Sequence, residues 1–120
     1  MKSIGFVLVL FLTLNGLAQS STSHYKKVYQ FEVHHQDWAK VKTVADTYGF
    51  IDKTGKEIVQ AIYTKIYDFE IQKDGKKYAM IKNVAGAFGY IDENGKEIVE
   101  GIYWKKEEAI QKLNYFFTSK

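Results

Sequence analysis

The side chains able to do chemistry are few and poorly placed for it. There is no Cys. Beyond residue 18, Ser stands only at 20, 21, 23 and 119, near the two ends. A Ser–His–carboxylate arrangement needs a rigidly held Ser, so nucleophilic catalysis is set aside. Asp52 with Glu57, and Asp92 with Glu97, have the composition of a glycosidase acid/base pair. Both pairs fall at the same place in a duplicated segment, and hairpin geometry explains that without catalysis. His34, His35 and Asp37, with His24 further off, form one metal-like cluster. Zinc needs three or four convergent ligands, and adjacent His residues in an extended segment point opposite ways, so a solvated loop is expected. Asp92-Glu93-Asn94-Gly95 opens like a calcium loop but lacks the later ligands and the closing Glu. No catalytic residue, metal or cofactor is assigned.

The elements that hold these residues are set by an internal repeat. Residues 48–63 return as residues 88–103, with ten of sixteen positions identical. Tyr48 and Phe88, like Phe50 and Tyr90, are exchanged only between aromatics. The match extends upstream: residues 28–33 align with 66–71 at an offset of 38, and 39–45 with 79–85 at an offset of 40. The change of offset puts a length difference in the loop around 34–37, where insertions are tolerated. The domain is therefore read as two units, 25–63 and 64–103, and a repeat at this period fixes the architecture first.

Each unit reads as short strands and tight turns, so the fold class is mainly β, an antiparallel hairpin meander. Tyr67, Phe69 and Ile71 alternate with polar residues as in a half-buried strand. Lys73-Asp74-Gly75-Lys76 marks a hairpin. Glu93-Asn94-Gly95-Lys96 predicts a type I′ turn, with Asn94 and Gly95 both at positive φ. Asp52-Lys53-Thr54-Gly55 predicts a type I turn closed by a left-handed Gly55. Asp52 and Asp92 head these turns and are expected to bond the backbone two residues on. Paired apolar residues (Phe50-Ile51, Ile58-Val59) predict strands covered on both faces. Gly49 and Gly89 sit inside strands, and an aromatic ring from the neighbouring strand is expected to lie over each.

The pattern aromatic-Gly-aromatic-Ile-Asp-x-x-Gly-Lys-Glu-Ile-Val, followed by an Ile-Tyr pair, resembles the WG-repeat family over about 25–103. The family's Trp is here Tyr48 or Phe88, and its common Pro is replaced by Gln60-Ala61 and Glu100-Gly101, so the chain reads as a divergent member. The resemblance implies all-β hairpin repeats and a mostly non-enzymatic role.

The remaining sequence bears on compartment and partners. Lys2, an apolar run from Ile4 to Leu14, and Leu17-Ala18 read as a signal peptide over 1–18, too short to span a bilayer of about 30 Å. Residues 19–24 are read as a disordered lead-in, and export to the periplasm or the outside is expected. With no disulfide available, stability must come from burial, which an aromatic content of 16% can supply. The formal charge of +3, with no Arg among the basic residues, argues against nucleic acid. Tyr48, Tyr63, Phe88 and Tyr103 are expected to pack one repeat on the next. Tyr29, Trp38, Tyr67 and Tyr78 are the candidate contact residues: either part of that ladder or an exposed face for sugar rings or a peptide. Another protein or an envelope component is the expected partner, with a homo-oligomer as the alternative. Finally, 104–120 is read as an amphipathic capping helix and tail, with Ile110, Leu113 and Phe117 turned onto the second repeat.

Overall fold

The computed structural model describes residues 25–33 and 37–119. The expected signal peptide, the lead-in and His24, His34 and His35 lie outside the described residues. Eight strands precede one helix: β1 (Tyr25–Val28), β2 (Ala39–Thr43), β3 (Tyr48–Ile51), β4 (Glu57–Ile66), β5 (Glu70–Ile71), β6 (Lys77–Asn83), β7 (Phe88–Asp92), β8 (Glu97–Tyr103) and α1 (Lys106–Thr118). All pairings are antiparallel in the order β1-β2-β3-β4-β6-β7-β8, and the short β5 joins the start of β6. The chain is thus mainly β, an open hairpin meander with one C-terminal helix.

Strand β4 is long because both repeats use it. Tyr48↔Tyr63 and Phe50↔Val59 pair it with β3, while Tyr63↔Asn83, Lys65↔Lys82 and Ile66↔Ile81 pair its far end with β6. The boundary at Tyr63 therefore falls inside a strand. Strand β1 repeats that second register on β2, as Tyr25↔Thr43, Lys27↔Lys42 and Val28↔Val41.

Adjacent residues of one strand enter different apolar layers, which accounts for the paired apolar residues. Phe50 packs with Trp38 and Val59, whereas Ile51 packs with Ala39 and Val41 on the other face. In the second repeat Ala79, Ile81 and Ile91 occupy the positions of Ala39, Val41 and Ile51. They close on Trp38, Phe50 and Val59 of the first repeat. The face carrying Tyr78, Met80, Tyr90 and Val99 is then left for the helix, which covers it with Ala109 and Leu113. The two units stack, and burial of one face on the next is the main source of stability.

The turns share one construction, and this corrects the type I′ reading. In both hairpins the Gly N–H donates back to the Asp carbonyl, Gly55 to Asp52 at 3.0 Å and Gly95 to Asp92 at 3.1 Å. Only Gly95 of the Asn94-Gly95 pair has positive φ, at 81°. Asn94 does not, because Asp92 Oδ1 accepts from the Asn94 and Lys96 amides at 2.8 and 3.0 Å and holds the turn in type I form. Asp52 Oδ1 does the same for Thr54 and Lys56, at 2.9 and 3.1 Å. The same pattern closes 43–47, 72–76 and 83–87.

The strand glycines are explained by backbone, not by rings. A Cβ on Gly49 would stand 2.4 Å from the Val59 carbonyl oxygen and 2.7 Å from Ala61 Cα. On Gly89 it would stand 2.4 Å from the Val99 oxygen and 2.9 Å from Gly101 Cα. Opposite each Gly the register slips, so that the partner strand bulges across it. The aromatic cover expected from the sequence is replaced by this close main-chain approach.

Helix α1 starts at Lys106 with Glu107 and Glu108 in its first turn, where the helix dipole favours negative charge. Its end is closed by hydroxyls: Thr118 Oγ1 and Ser119 Oγ donate to the Tyr115 and Phe116 carbonyls. Leu113 is buried and Phe117 packs beside it, as expected, but Ile110 is 42% exposed. The inward stripe runs through Ala109, Leu113 and Phe116, which rotates Ile110 toward solvent.

Candidate functional site

The two hairpin bulges are held by polar side chains that differ between the repeats. In the second, Asn83 Nδ2 donates to the Gly101 carbonyl at 2.7 Å. In the first, Thr43 stands at that position and is too short. Its hydroxyl instead meets Thr47 Oγ1 at 2.7 Å, and Thr47 Oγ1 donates to the Ala61 carbonyl at 2.7 Å. Thr43 Oγ1 and Asn83 Oδ1 also accept amides of their own turns. Each turn is thereby tied to the bulge beside it.

This arrangement brings exposed turn residues close to exposed apolar residues of the neighbouring strands. The turn containing Val44 is tied next to Ile62, and the turn containing Val84 next to Ile102. The pairing Tyr63↔Asn83 sets Ile62 beside Val84 one step further on. Trp104 follows Ile102 by two residues. Val44 and Val84 are 80% and 73% exposed, and Ile62, Ile102 and Trp104 are 48%, 57% and 67% exposed. Single exposed apolar residues are ordinary. Here the same exposure recurs at equivalent positions of both repeats, Val44/Val84 and Ile62/Ile102, and Trp104 adds a further exposed ring. Sequence reasoning missed these residues because it sought aromatics. The recurrence of Val44/Val84 and Ile62/Ile102 at an offset of 40 was the available signal.

The four candidate contact aromatics do not share one face, although Tyr67 and Tyr78 line one recess. Trp38 is buried against Phe50 and Phe69, with ring centroids 5.3 and 5.7 Å away. Tyr78 is buried against Phe116 and Phe117 at 6.4 and 5.6 Å, and its hydroxyl donates to Asp74 Oδ2 at 2.5 Å. Tyr29 and Tyr67 are half-buried and lie under lysines, Lys27 Nζ and Lys65 Nζ each standing 4.5 Å from the ring centre. Two of the four rings thus belong to the core, and no common face forms. Tyr48, Tyr63, Phe88 and Tyr103 all sit in or against the packed layers.

The duplicated carboxylates serve the fold. Tyr25 donates to Glu57 Oε2 at 2.5 Å, and Tyr63 donates to Glu97 Oε2 at 2.9 Å. Burial, then the bond to the carboxylate, raises both phenols well above the ordinary tyrosine range. Burial alone pushes Asp52 up, but the Thr54 hydroxyl and the Lys56 and Thr54 amides together outweigh it and hold the carboxyl low. Lys40 is lowered chiefly by burial, partly offset by Tyr48 and Asp68, and its Nζ stands 4.8 Å from the Tyr48 ring centre. Among the described residues no group of three or more His, Cys, Asp or Glu is placed to hold a metal ion. No helix among them is long and apolar enough to cross a membrane.

Residues 48–83 and 88–103 match the family described as WG containing repeat. These segments are WG repeats. The matched Gly of each repeat is Gly49 or Gly89, the residue lying under the bulge, so the geometry explains why the motif carries Gly there. Strands β1 and β2 precede the matched segments, and α1 follows them. No curated protein and no solved structure matches the chain.

Proposed function

We propose that the chain is an exported, non-catalytic WG-repeat module that works by contact with another protein. The contact surface in this reading is the exposed set Val44, Ile62, Val84, Ile102 and Trp104. The observation that carries it is the duplicated exposure: apolar side chains at matching positions of both repeats, Val44/Val84 and Ile62/Ile102, stay in solvent. Desolvating such side chains is the favourable term in most protein association. The export part rests on the N-terminal sequence pattern, and the non-catalytic part on the structural use of Asp52, Glu57, Asp92 and Glu97.

The test uses the full chain expressed in its own cells, with a photo-crosslinking amino acid at position 84 or 102. A discrete protein adduct is expected in the extracytoplasmic fraction, together with a mature N-terminus at Gln19. The same probe at Lys73, an exposed residue at the far end of the strands, is expected to give none. Ile62→Lys with Ile102→Lys should abolish the adduct while the circular dichroism spectrum is kept. Equal labelling from all three positions, or none from any, would overturn the proposal.

A further inference from the structure

Between β5, β6, β7 and the first turns of α1 lies a recess of about 240 Å³ lined by three tyrosines, Tyr67, Tyr78 and Tyr90. Met80 adds a thioether to the lining, and Asp68 and Glu70 add two carboxylates. Neither carboxylate is ion-paired among the described residues. Tyr78 has already committed its hydroxyl to Asp74, so it offers the recess a ring rather than a donor. Tyr90 is held above the usual tyrosine range by burial and then by the charge of Glu70.

One ring of the recess already attracts cations from its own chain, and one of these, Lys106, also lines the recess. Lys106 Nζ stands 4.8 Å from the Tyr67 ring centre, and Lys65 Nζ stands 4.5 Å from it. Lys106 is an exposed side chain that a competing cation can displace. The repeats differ at one lining position. The residue equivalent to Met80 is Lys40, which lays its half-buried ammonium against the Tyr48 ring. The first repeat carries a lysine at this sequence position and the second an uncharged thioether.

We infer that the recess of the second repeat binds a compact organic cation carrying a quaternary ammonium, of about the size of choline. Its methyl groups would lie on the rings of Tyr67 and Tyr90 and on Met80, with Asp68 and Glu70 as counter-charge. A quaternary head suits these walls better than a primary ammonium. It has no N–H groups to lose hydration, and aromatic faces attract it through their quadrupoles.

The test titrates the full chain with choline, following tyrosine ring resonances by NMR. The neutral isostere 3,3-dimethylbutanol and sodium chloride are titrated in parallel. Saturable shifts with choline are expected, at least about fivefold tighter than with the isostere. Tyr67→Ala and Glu70→Gln should each weaken binding by about threefold or more. Lys106→Ala should tighten it, since the internal competitor is gone. Lys56→Ala, an exposed residue of the first repeat, serves as a folded control and should change nothing. Vesicles of phosphatidylcholine against phosphatidylglycerol separate the two sources of the group. Co-sedimentation with the first alone assigns a lipid headgroup, and choline binding without it assigns a soluble ligand. Equal affinity for choline and its isostere, or choline binding that Tyr67→Ala and Glu70→Gln leave unchanged, would overturn the inference. So would an absence of saturable shifts in both wild type and Lys106→Ala.

Discussion

Asn83 reaches across the second hairpin and donates its amide hydrogen to the main-chain oxygen of Gly101, at 2.7 Å. The first repeat meets the same need with two hydroxyls in series, Thr43 to Thr47 and Thr47 to Ala61. Two different side-chain sets thus perform one task. Asn83→Ala should lower stability by about 1–3 kcal/mol in a denaturant titration, because it strips a partner from a bulge carbonyl and two amides from their acceptor. Thr43→Asn combined with Thr47→Ala copies the second repeat's solution into the first. That pair should stay within about 1 kcal/mol of wild type, whereas Thr47→Ala alone should cost more. A double variant as weak as the single would show that the two solutions are not interchangeable.

The glycines should separate by what surrounds them. Gly75 and Gly95 have nearly the same φ, 80° and 81°. A Cβ on Gly75 meets nothing within 4 Å, while one on Gly95 would stand 2.4 Å from the Ile58 carbonyl oxygen of the first repeat. Gly75→Ala should therefore cost about 1 kcal/mol, the backbone term alone. Gly95→Ala, Gly49→Ala and Gly89→Ala should each cost about 3 kcal/mol or more, since main chain must move. Thermal melts that rank Gly75→Ala with the other three would refute the close approach.

The helix should behave as a lid on the second repeat's open face. Leu113 is 2% exposed within the Tyr78, Met80 and Val99 layer, so Leu113→Ala should cost about 2–4 kcal/mol. Ile110→Ala should cost less than about 1 kcal/mol, because that side chain points largely outward. Removal of 104–120 bares the whole layer, and the shortened chain should aggregate or unfold. Light scattering and a melting curve on the truncated chain would decide; an unchanged monomer would rule the cap out.

Stability should fall at both ends of the pH scale, for different groups. Tyr78 is pushed up to about 12, first by burial and then by its bond to Asp74. A raised phenol keeps its proton longer in the folded state, so its contribution is complete below the unfolded value of about 10 and is lost as pH climbs toward 12. Tyr25 and Tyr63, also raised, add to the same alkaline loss. Asp52 and Asp74 are lowered, so their contribution is present above about 4 and is lost as pH falls through their folded values. Tyr63→Phe should therefore flatten the alkaline limb and leave the acid limb unchanged, measured as melting temperature against pH. A variant that alters both limbs equally would contradict the assignment.

Much of this molecule was legible along the chain. The duplication between 48–63 and 88–103, the strand alternation around Phe69 and the Asp-led turns ending in Gly55 and Gly95 are local patterns. A period of two or a left-handed Gly is encoded within a few residues, so the hairpin meander and the C-terminal helix follow from sequence. Contacts set by register are not encoded in that way. Gly49 reads as a strand Gly, but only the slip between Phe50↔Val59 and Tyr48↔Tyr63 brings the Val59 oxygen over it. Trp38 and Tyr78 have the composition of a binding face, and stacking of the repeats and docking of α1 are what bury them. Asn94 has the propensity for positive φ, yet the Asp92 carboxylate decides its backbone. The exposed set from Val44 to Trp104 and the recess around Tyr67 likewise arise only when segments some tens of residues apart are brought side by side. Local propensity chooses the elements, and their register and stacking, which depend on the summed burial of distant side chains, choose what is left in solvent.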